Sequence, residues 1–200
     1  MLVTKPELIL ASTSMYRSEL FKKMGLAFKM IGPTVDEDVL KNSLLLEEKS
    51  ALHIAESLSY EKALSIFSKD TVVVAGDQLV LFNNKIIGKP YTKENAIQQL
   101  QKMNNQTHQL ITAVAVITDL KVFQLNHVSE LTFKKLSETE IKNYVDLDLP
   151  LDCAGSYKIE KSGICLFEKI KTDDFSAIQG LPMIWLSTTL KGLGYELFKK

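Results

Sequence analysis

The sequence predicts an α/β fold built on a twisted, mixed β-sheet flanked by helices. Apolar runs of strand length alternate with stretches of helical period along most of the chain. The first run, Leu8-Ile9-Leu10, ends abruptly in Ala11-Ser12-Thr13-Ser14, and a helical pattern follows through Leu20, Phe21 and Met24 to Gly25. Two long β-rich stretches over 107–136 read as antiparallel, which fits a mixed sheet better than a simple doubly wound parallel one.

The elements follow in order. Ser14 is a natural N-cap for the first helix, and Gly25 a natural stop. Residues 27–31 read as a second strand ending at Gly32-Pro33, with the acidic cluster Asp36-Glu37-Asp38 in a loop behind it. Periodicity predicts one long helix over about 47–67. Residues 71–75 form a buried strand that runs into Gly76-Asp77-Gln78, and 79–88 reads as a hairpin around Asn83-Asn84. Thr92 caps a helix carrying Ala96, Ile97, Leu100 and Met103. After the β-rich region, Ser137-Glu138-Thr139-Glu140 is a capping box. A strand over 164–170 and a closing helix over 181–193 complete the chain.

Composition narrows the function. Hydrophobic residues make up 46%, enough for a sizeable core, and 200 residues allow one large domain or two small packed lobes. Lysine plus arginine balances aspartate plus glutamate at 24 each, which argues against a general nucleic-acid binder or a membrane-surface protein. Cys153 and Cys165 fit neither a zinc site nor a redox pair, and reduced thiols are expected. No signal peptide or membrane span is legible, so the protein is expected to be soluble and cytoplasmic.

The chemistry-bearing residues are scattered. At the first strand-to-helix turn, helix N–H groups and the positive dipole end converge on the hydroxyls of Ser12 and Ser14, and Arg17 can fold over the same spot. That chemistry suits a phosphate; an ordinary capped helix has the same signature. Asp77, just past a buried strand and next to Gly76, suits a general base or metal ligand, or a plain turn aspartate. Glu37 suits a hard cation such as Mg²⁺ or Mn²⁺, or a solvated acidic loop. Lys62 follows Leu58 by one helical turn on an apolar stripe, where it must snorkel outward or meet an anion inside. Lys89 is held by Pro90 after the hairpin. Together, two carboxylates and three cations beside an anion turn suit metal-assisted phosphoryl chemistry. There is no Walker P-loop and no G-x-G-x-x-G.

At this point the chain resembles the Maf family of nucleoside triphosphate pyrophosphatases. The resemblance rests on Leu10-Ala11-Ser12-Thr13-Ser14 with Arg17, Val35-Asp36-Glu37, Glu61-Lys62-Ala63, Gly76-Asp77-Gln78 and Gly88-Lys89-Pro90. Gln106-Thr107-His108, the run from Pro150 to Tyr157, and Gly180-Leu181-Pro182 extend it over nearly the whole chain. It implies a single domain over 1–200 with an elongated sheet and two intimately packed lobes flanking a cleft, commonly as a homodimer. It also implies divalent-metal-dependent cleavage of a nucleoside triphosphate between the α- and β-phosphates. Carried onto this sequence, Asp77 is the proton acceptor, Glu37 belongs to the metal site, and Ser12, Arg17, Lys62 and Lys89 surround the triphosphate.

The match departs at Met15-Tyr16-Arg17, where many members read Pro-Arg-Arg. Tyr16, Gln78 and Glu160 resemble instead the subgroup acting on 7-methyl-GTP. Physical chemistry agrees. An aromatic face attracts the cationic N7-methylguanine, and a carboxylate can accept from both N1–H and the exocyclic amine. Alone, Glu160 would also pass for a surface residue. The alternatives are a dTTP/UTP pyrophosphatase and a non-catalytic nucleotide-binding regulator of cell division.

Overall fold

The computed structural model describes residues 5–198. Its strands are β1 (Glu7–Ala11), β2 (Lys29–Ile31), β3 (Thr71–Phe82), β4 (Lys85–Ile87), β5 (Thr107–Ile117), β6 (Val122–Phe133) and β7 (Phe167–Lys171). Its helices are α1 (Met15–Lys22), α2 (Glu37–Leu46), α3 (Ala51–Leu64), α4 (Lys93–Met103), α5 (Glu138–Asp148), α6 (Phe175–Ile178) and α7 (Met183–Gly192). The sheet is mixed, as expected. β1 pairs in parallel with β2 and β3, whereas β3·β4 and β6·β7 are antiparallel. The strand order is β2-β1-β3-β5-β6-β7, with β4 on β3.

The chain divides into two compact units, each assembled from separated stretches. The first holds the described residues up to Asp77, Thr112–His127, and those from Asp174 onward. Here the period of two along each strand sorts side chains onto two faces. Leu8, Leu10, Val72, Val74, Val114 and Val116 pack against Leu20, Phe21 and Met24 of α1 and its C-terminal turn, and against Leu186 and Leu190 of α7. Ile9, Ala11, Val73, Ala75, Ala115 and Ile117 face the other way, against Ala63, Tyr60, Ile66 and Phe67 in and after α3. This unit is therefore a three-layer sandwich.

The second unit comprises Gln78–Ile111 and Val128–Asp173. Helices α4 and α5 pack on each other, and α5 opens with the full capping box expected at Ser137 and Glu140. Its aromatic core joins His108, Phe133, Tyr157 and Phe167, with the His108 Nε2 and the Tyr157 hydroxyl 3.0 Å apart.

Several sequence expectations need correction. The acidic cluster is not a loop. Asp36 caps α2 by accepting the Val39 N–H at 3.0 Å, and Glu37 and Asp38 sit in the first turn, where the dipole favours acids. The long helix expected over 47–67 is shorter, α3 over Ala51–Leu64, and a second helix, α2, precedes it. The chain breaks at Glu48, whose φ is +56°, and restarts at Ser50, which caps α3. Gly76-Asp77-Gln78 is not a strand-end turn, because β3 runs through it unbroken. Glycine there permits a close approach: a Cβ on Gly76 would lie 3.2 Å from the Gly180 carbonyl and 3.1 Å from Leu181. The second strand is shorter, limited to the three residues that pair with β1. The strand expected from 164 begins at Phe167, after a 3₁₀ segment over Ser162–Leu166. Helix α7 starts at Met183, and the short α6 before it has no periodicity to betray it. The Asn83-Asn84 hairpin turn is as expected, with φ of +49° and +60°.

Buried His108 carries a pH signature. Burial lowers its pKa from 6.5 to about 4, so the imidazole stays neutral in the folded state. The unfolded chain binds that proton first on acidification. Stability from this group is complete above pH 6.5 and is lost as pH falls toward 4. The expected loss is about 3 kcal/mol, read from urea midpoints between pH 7 and 4. His108→Gln should remove that part of the slope, and an unchanged slope would show that another group controls it.

Candidate active site

Two features of the first unit decide where Asp77 points. It lies two residues beyond Ala75 on the same extended strand, so alternation carries it to the face covered by α3. On α3, Lys62 is one turn beyond Leu58 and adjacent to Ala63, on the buried side. The lysine does not snorkel. Its Nζ lies 2.6 Å from Asp77 Oδ1 and 2.7 Å from Glu37 Oε2. Lys62 and Asp77 are 4% and 5% exposed, so this is an interior ion pair, with Glu37 reaching in from the first turn of α2. An ammonium taken out of water needs such partners, because its desolvation costs several kcal/mol.

The second carboxylate oxygen, Asp77 Oδ2, is buried with no hydrogen-bond partner. A buried acceptor left unused beside two more carboxylate atoms fits a hard, oxygen-seeking cation. Among the described residues no group of three or more His, Cys, Asp or Glu side chains converges to hold a metal. Two carboxylates with the remaining positions filled by water and phosphate oxygens is the arrangement Mg²⁺ commonly takes.

The hydroxyl-rich turn lies at the same end of the sheet. β1 and β3 run in parallel with Leu10 beside Val74, so Ser12 and Asp77 lie two and three residues past matched positions. The order β2-β1-β3 makes this the point where consecutive connections leave in opposite directions, the usual ligand crevice of such sheets. Ser12 is buried, and its hydroxyl accepts the Ser14 N–H at 3.1 Å. Ser14 caps α1 by accepting the Arg17 N–H at 3.4 Å, as expected. Arg17 Nε donates to the Gly180 carbonyl at 3.2 Å. A Cβ on Gly180, whose φ is +116°, would come within 3.1 Å of the Arg17 side chain.

Sequence reasoning missed what holds that carbonyl. Asp174 accepts the N–H groups of Ser176 at 2.9 Å and Ile184 at 2.8 Å. Ser176 donates its hydroxyl to Asp174 and accepts the Met183 N–H at 2.8 Å. This network satisfies the N-terminus of α7, whose own N-cap position is proline, and closes the 179–182 turn under Arg17. An aspartate two residues before a serine was the available signal, obscured by the short α6.

Tyr16 lies on α1 at the edge of exposure. The second unit carries the other expected residues. Gln78 is half-buried on β3, Lys89 is exposed after β4, and Glu160 is half-buried in a turn after Tyr157. Burial pushes the nearby Cys153 thiol up to about 12, so it is no nucleophile at neutral pH.

Residues 7–193 match the family described as Maf-like protein. A 7-methyl-GTP pyrophosphatase of Bdellovibrio bacteriovorus is 46% identical over 185 residues, covering 92% of this chain and 96% of that protein. A 7-methyl-GTP pyrophosphatase of Hydrogenovibrio crunogenus is 37% identical, covering 96% and 95%. A dTTP/UTP pyrophosphatase of Aquifex aeolicus is 35% identical, covering 92% and 94%.

The ion pair makes a stability prediction. Lys62→Met strands the buried Asp77 carboxylate, which should cost about 3 kcal/mol in urea unfolding. Adding Asp77→Asn should restore part of that loss. Additive losses would mean that the two residues do not act as a pair.

Proposed function

We propose, from the premise that this chain belongs to the Maf-like protein family, that it hydrolyses 7-methyl-GTP to 7-methyl-GMP and pyrophosphate. The observation that carries the reading is the buried Asp77–Lys62 pair, joined by the more exposed Glu37, with Asp77 Oδ2 left unused. A simple binder gains nothing from the cost of burying those charges, whereas a phosphoanhydride hydrolase needs a base, a cation site and positive charge together.

In this reading Asp77 and Glu37 hold a divalent cation, Mg²⁺ or Mn²⁺. When bound, such an ion polarises phosphoryl oxygens and makes a nearby water more acidic. Asp77 takes the proton of the attacking water. The water oxygen bonds to the α-phosphorus as the bond to the α–β bridging oxygen breaks, and pyrophosphate leaves. Arg17, Lys62 and Lys89 neutralise charge on the departing group, while Ser12, Ser14 and the N–H groups of their turn bind phosphate oxygens. Lys62 has a further duty, since its ammonium keeps the two carboxylates together before substrate arrives.

Base choice falls to Tyr16, Gln78 and Glu160. Tyr16 stacks on the cationic purine, and Glu160 accepts from N1–H and the amino group, a donor pair that thymine and uracil lack. The role would be removal of modified nucleotides before they enter nucleic acid. Both cysteines are free of disulfides, which suits the cytoplasm, and the same reading takes the protein as a homodimer. Among the described residues no helix is long and apolar enough to cross a membrane.

Incubation with 7-methyl-GTP and Mg²⁺ or Mn²⁺ should release pyrophosphate and 7-methyl-GMP. Orthophosphate as the sole inorganic product would place the scissile bond elsewhere, and no turnover of any nucleoside triphosphate would leave only a binder. Asp77→Asn should lower kcat by roughly two orders of magnitude or more. Because Asp77 is interior and paired with Lys62, the variant should also lose thermal stability, so activity is read well below its melting point. Near-normal turnover would make Asp77 structural.

Glu160→Gln should cost about 1–3 kcal/mol of discrimination between 7-methyl-GTP and UTP or dTTP. A wild type that prefers dTTP, or a variant that loses activity equally on all substrates, would overturn the base assignment.

A further inference from the structure

Glu160 sits in a turn that should wander. It lies on neither helix nor strand and is flanked by Lys158 and Lys161. Yet the turn is tied down on all sides within the second unit. At its entrance, Tyr157 is locked in the aromatic core, facing His108. One residue on, the Lys158 N–H donates to the hydroxyl of Tyr144, in the penultimate turn of α5, at 2.9 Å. The Lys158 carbonyl accepts from both Lys161 N–H at 3.1 Å and Gly163 N–H at 3.0 Å, which closes the turn around Glu160. The Lys158 ammonium donates to the Leu149 carbonyl at 3.0 Å and pairs with Asp152 at 3.1 Å, a second tie to the end of the same helix.

Gly163 is required by this closure. A Cβ there would lie 2.4 Å from the Lys158 oxygen and 2.7 Å from its carbonyl carbon, so any other residue must open the turn.

We propose that Tyr144 is a specificity-positioning residue, whose hydroxyl fixes the Lys158–Gly163 turn and so holds the Glu160 carboxylate where it can read the donor edge of the base. This rests on the assignment of Glu160 to base selection. Tyr144 is buried and belongs to no catalytic group, and its hydroxyl oxygen accepts the Lys158 N–H. Burial, followed by its neighbours Asp148 and Cys153, raises the phenol's pKa, so it remains a neutral hydroxyl. Asp148, itself buried with Oδ2 unpartnered, lies beside the phenol on the same helix. Two anchors on one helix turn a flexible segment into a rigid support, and carboxylate placement is sensitive to such support.

The test is a double-mutant cycle. The readout is the ratio of kcat/KM for 7-methyl-GTP to that for UTP, in wild type, Tyr144→Phe, Glu160→Gln and the double variant. Tyr144→Phe removes one oxygen and keeps the ring. It should lower the ratio about tenfold, mainly through KM for 7-methyl-GTP. In the Glu160→Gln background the same change should have little further effect. Gly163→Ala, which opens the turn from the other side, should lower the ratio in the same direction. If Glu160→Gln itself leaves the ratio intact, the base assignment fails. If Glu160→Gln lowers it but Tyr144→Phe does not, only the positioning role fails. Equal loss on both substrates, or full additivity in the double variant, would reduce Tyr144 to a structural residue.

Discussion

An ammonium buried between two carboxylates is the constraint around which the first unit is arranged. Lys62 cannot lie on the inner face of α3 without an anion, because an isolated charge in that position is prohibitive. Asp77 meets it from β3, and Glu37 from the first turn of α2. Three separate elements are thereby held in one register. Hydrophobic packing brings α3 against the sheet through Ala63, Val73 and Ala75, but packing alone would tolerate sliding. The ion pair does not, since it needs its oxygens at hydrogen-bond distance. The same cluster that fixes the geometry also concentrates the charge that phosphoryl chemistry needs.

The serine-turn side of this unit is built by a different rule. Here backbone approach matters more than side-chain charge. Gly76 and Gly180 lack the Cβ atoms that would keep β3, Leu181 and Arg17 apart. The Gly180 carbonyl then receives the Arg17 Nε, and the Asp174–Ser176 network holds the turn that carries it. Parallel pairing of β1 with β3 puts the serine turn and Asp77 at one end of the sheet. The hydroxyl turn and Arg17 lie near one end of the chain and the Gly180 carbonyl 163 residues beyond that arginine, yet they and the unused Asp77 oxygen belong to one compact unit.

The second unit fills its core with neutral groups. Its core is aromatic, and buried His108 remains uncharged within it. Hydroxyls take over much of the positioning, from Tyr157 beside His108 to Tyr144 under the Lys158 N–H.

Most elements were legible in the sequence because they depend on local rules. Caps at Ser14, Thr92 and Ser137, the Asn83-Asn84 turn and the period of the strands involve neighbours a few residues apart. The motifs that resemble a known family singled out Lys62, Asp77 and Glu37 among others, and the structure brings these three together. Local rules failed where a distant contact decides. The sequence shows a glycine before Asp77, which reads as a break, but β3 runs through it unbroken, and the missing Cβ leaves room for the Gly180 carbonyl from a hundred residues away. An acidic run reads as solvated loop until its first aspartate is seen to cap α2, so that Glu37 can reach Lys62. Whether a lysine on an apolar stripe turns outward or inward depends on which strand packs against it. That is a property of the tertiary structure, because burial of a charge is decided by the partner that meets it and not by the residues beside it in the chain.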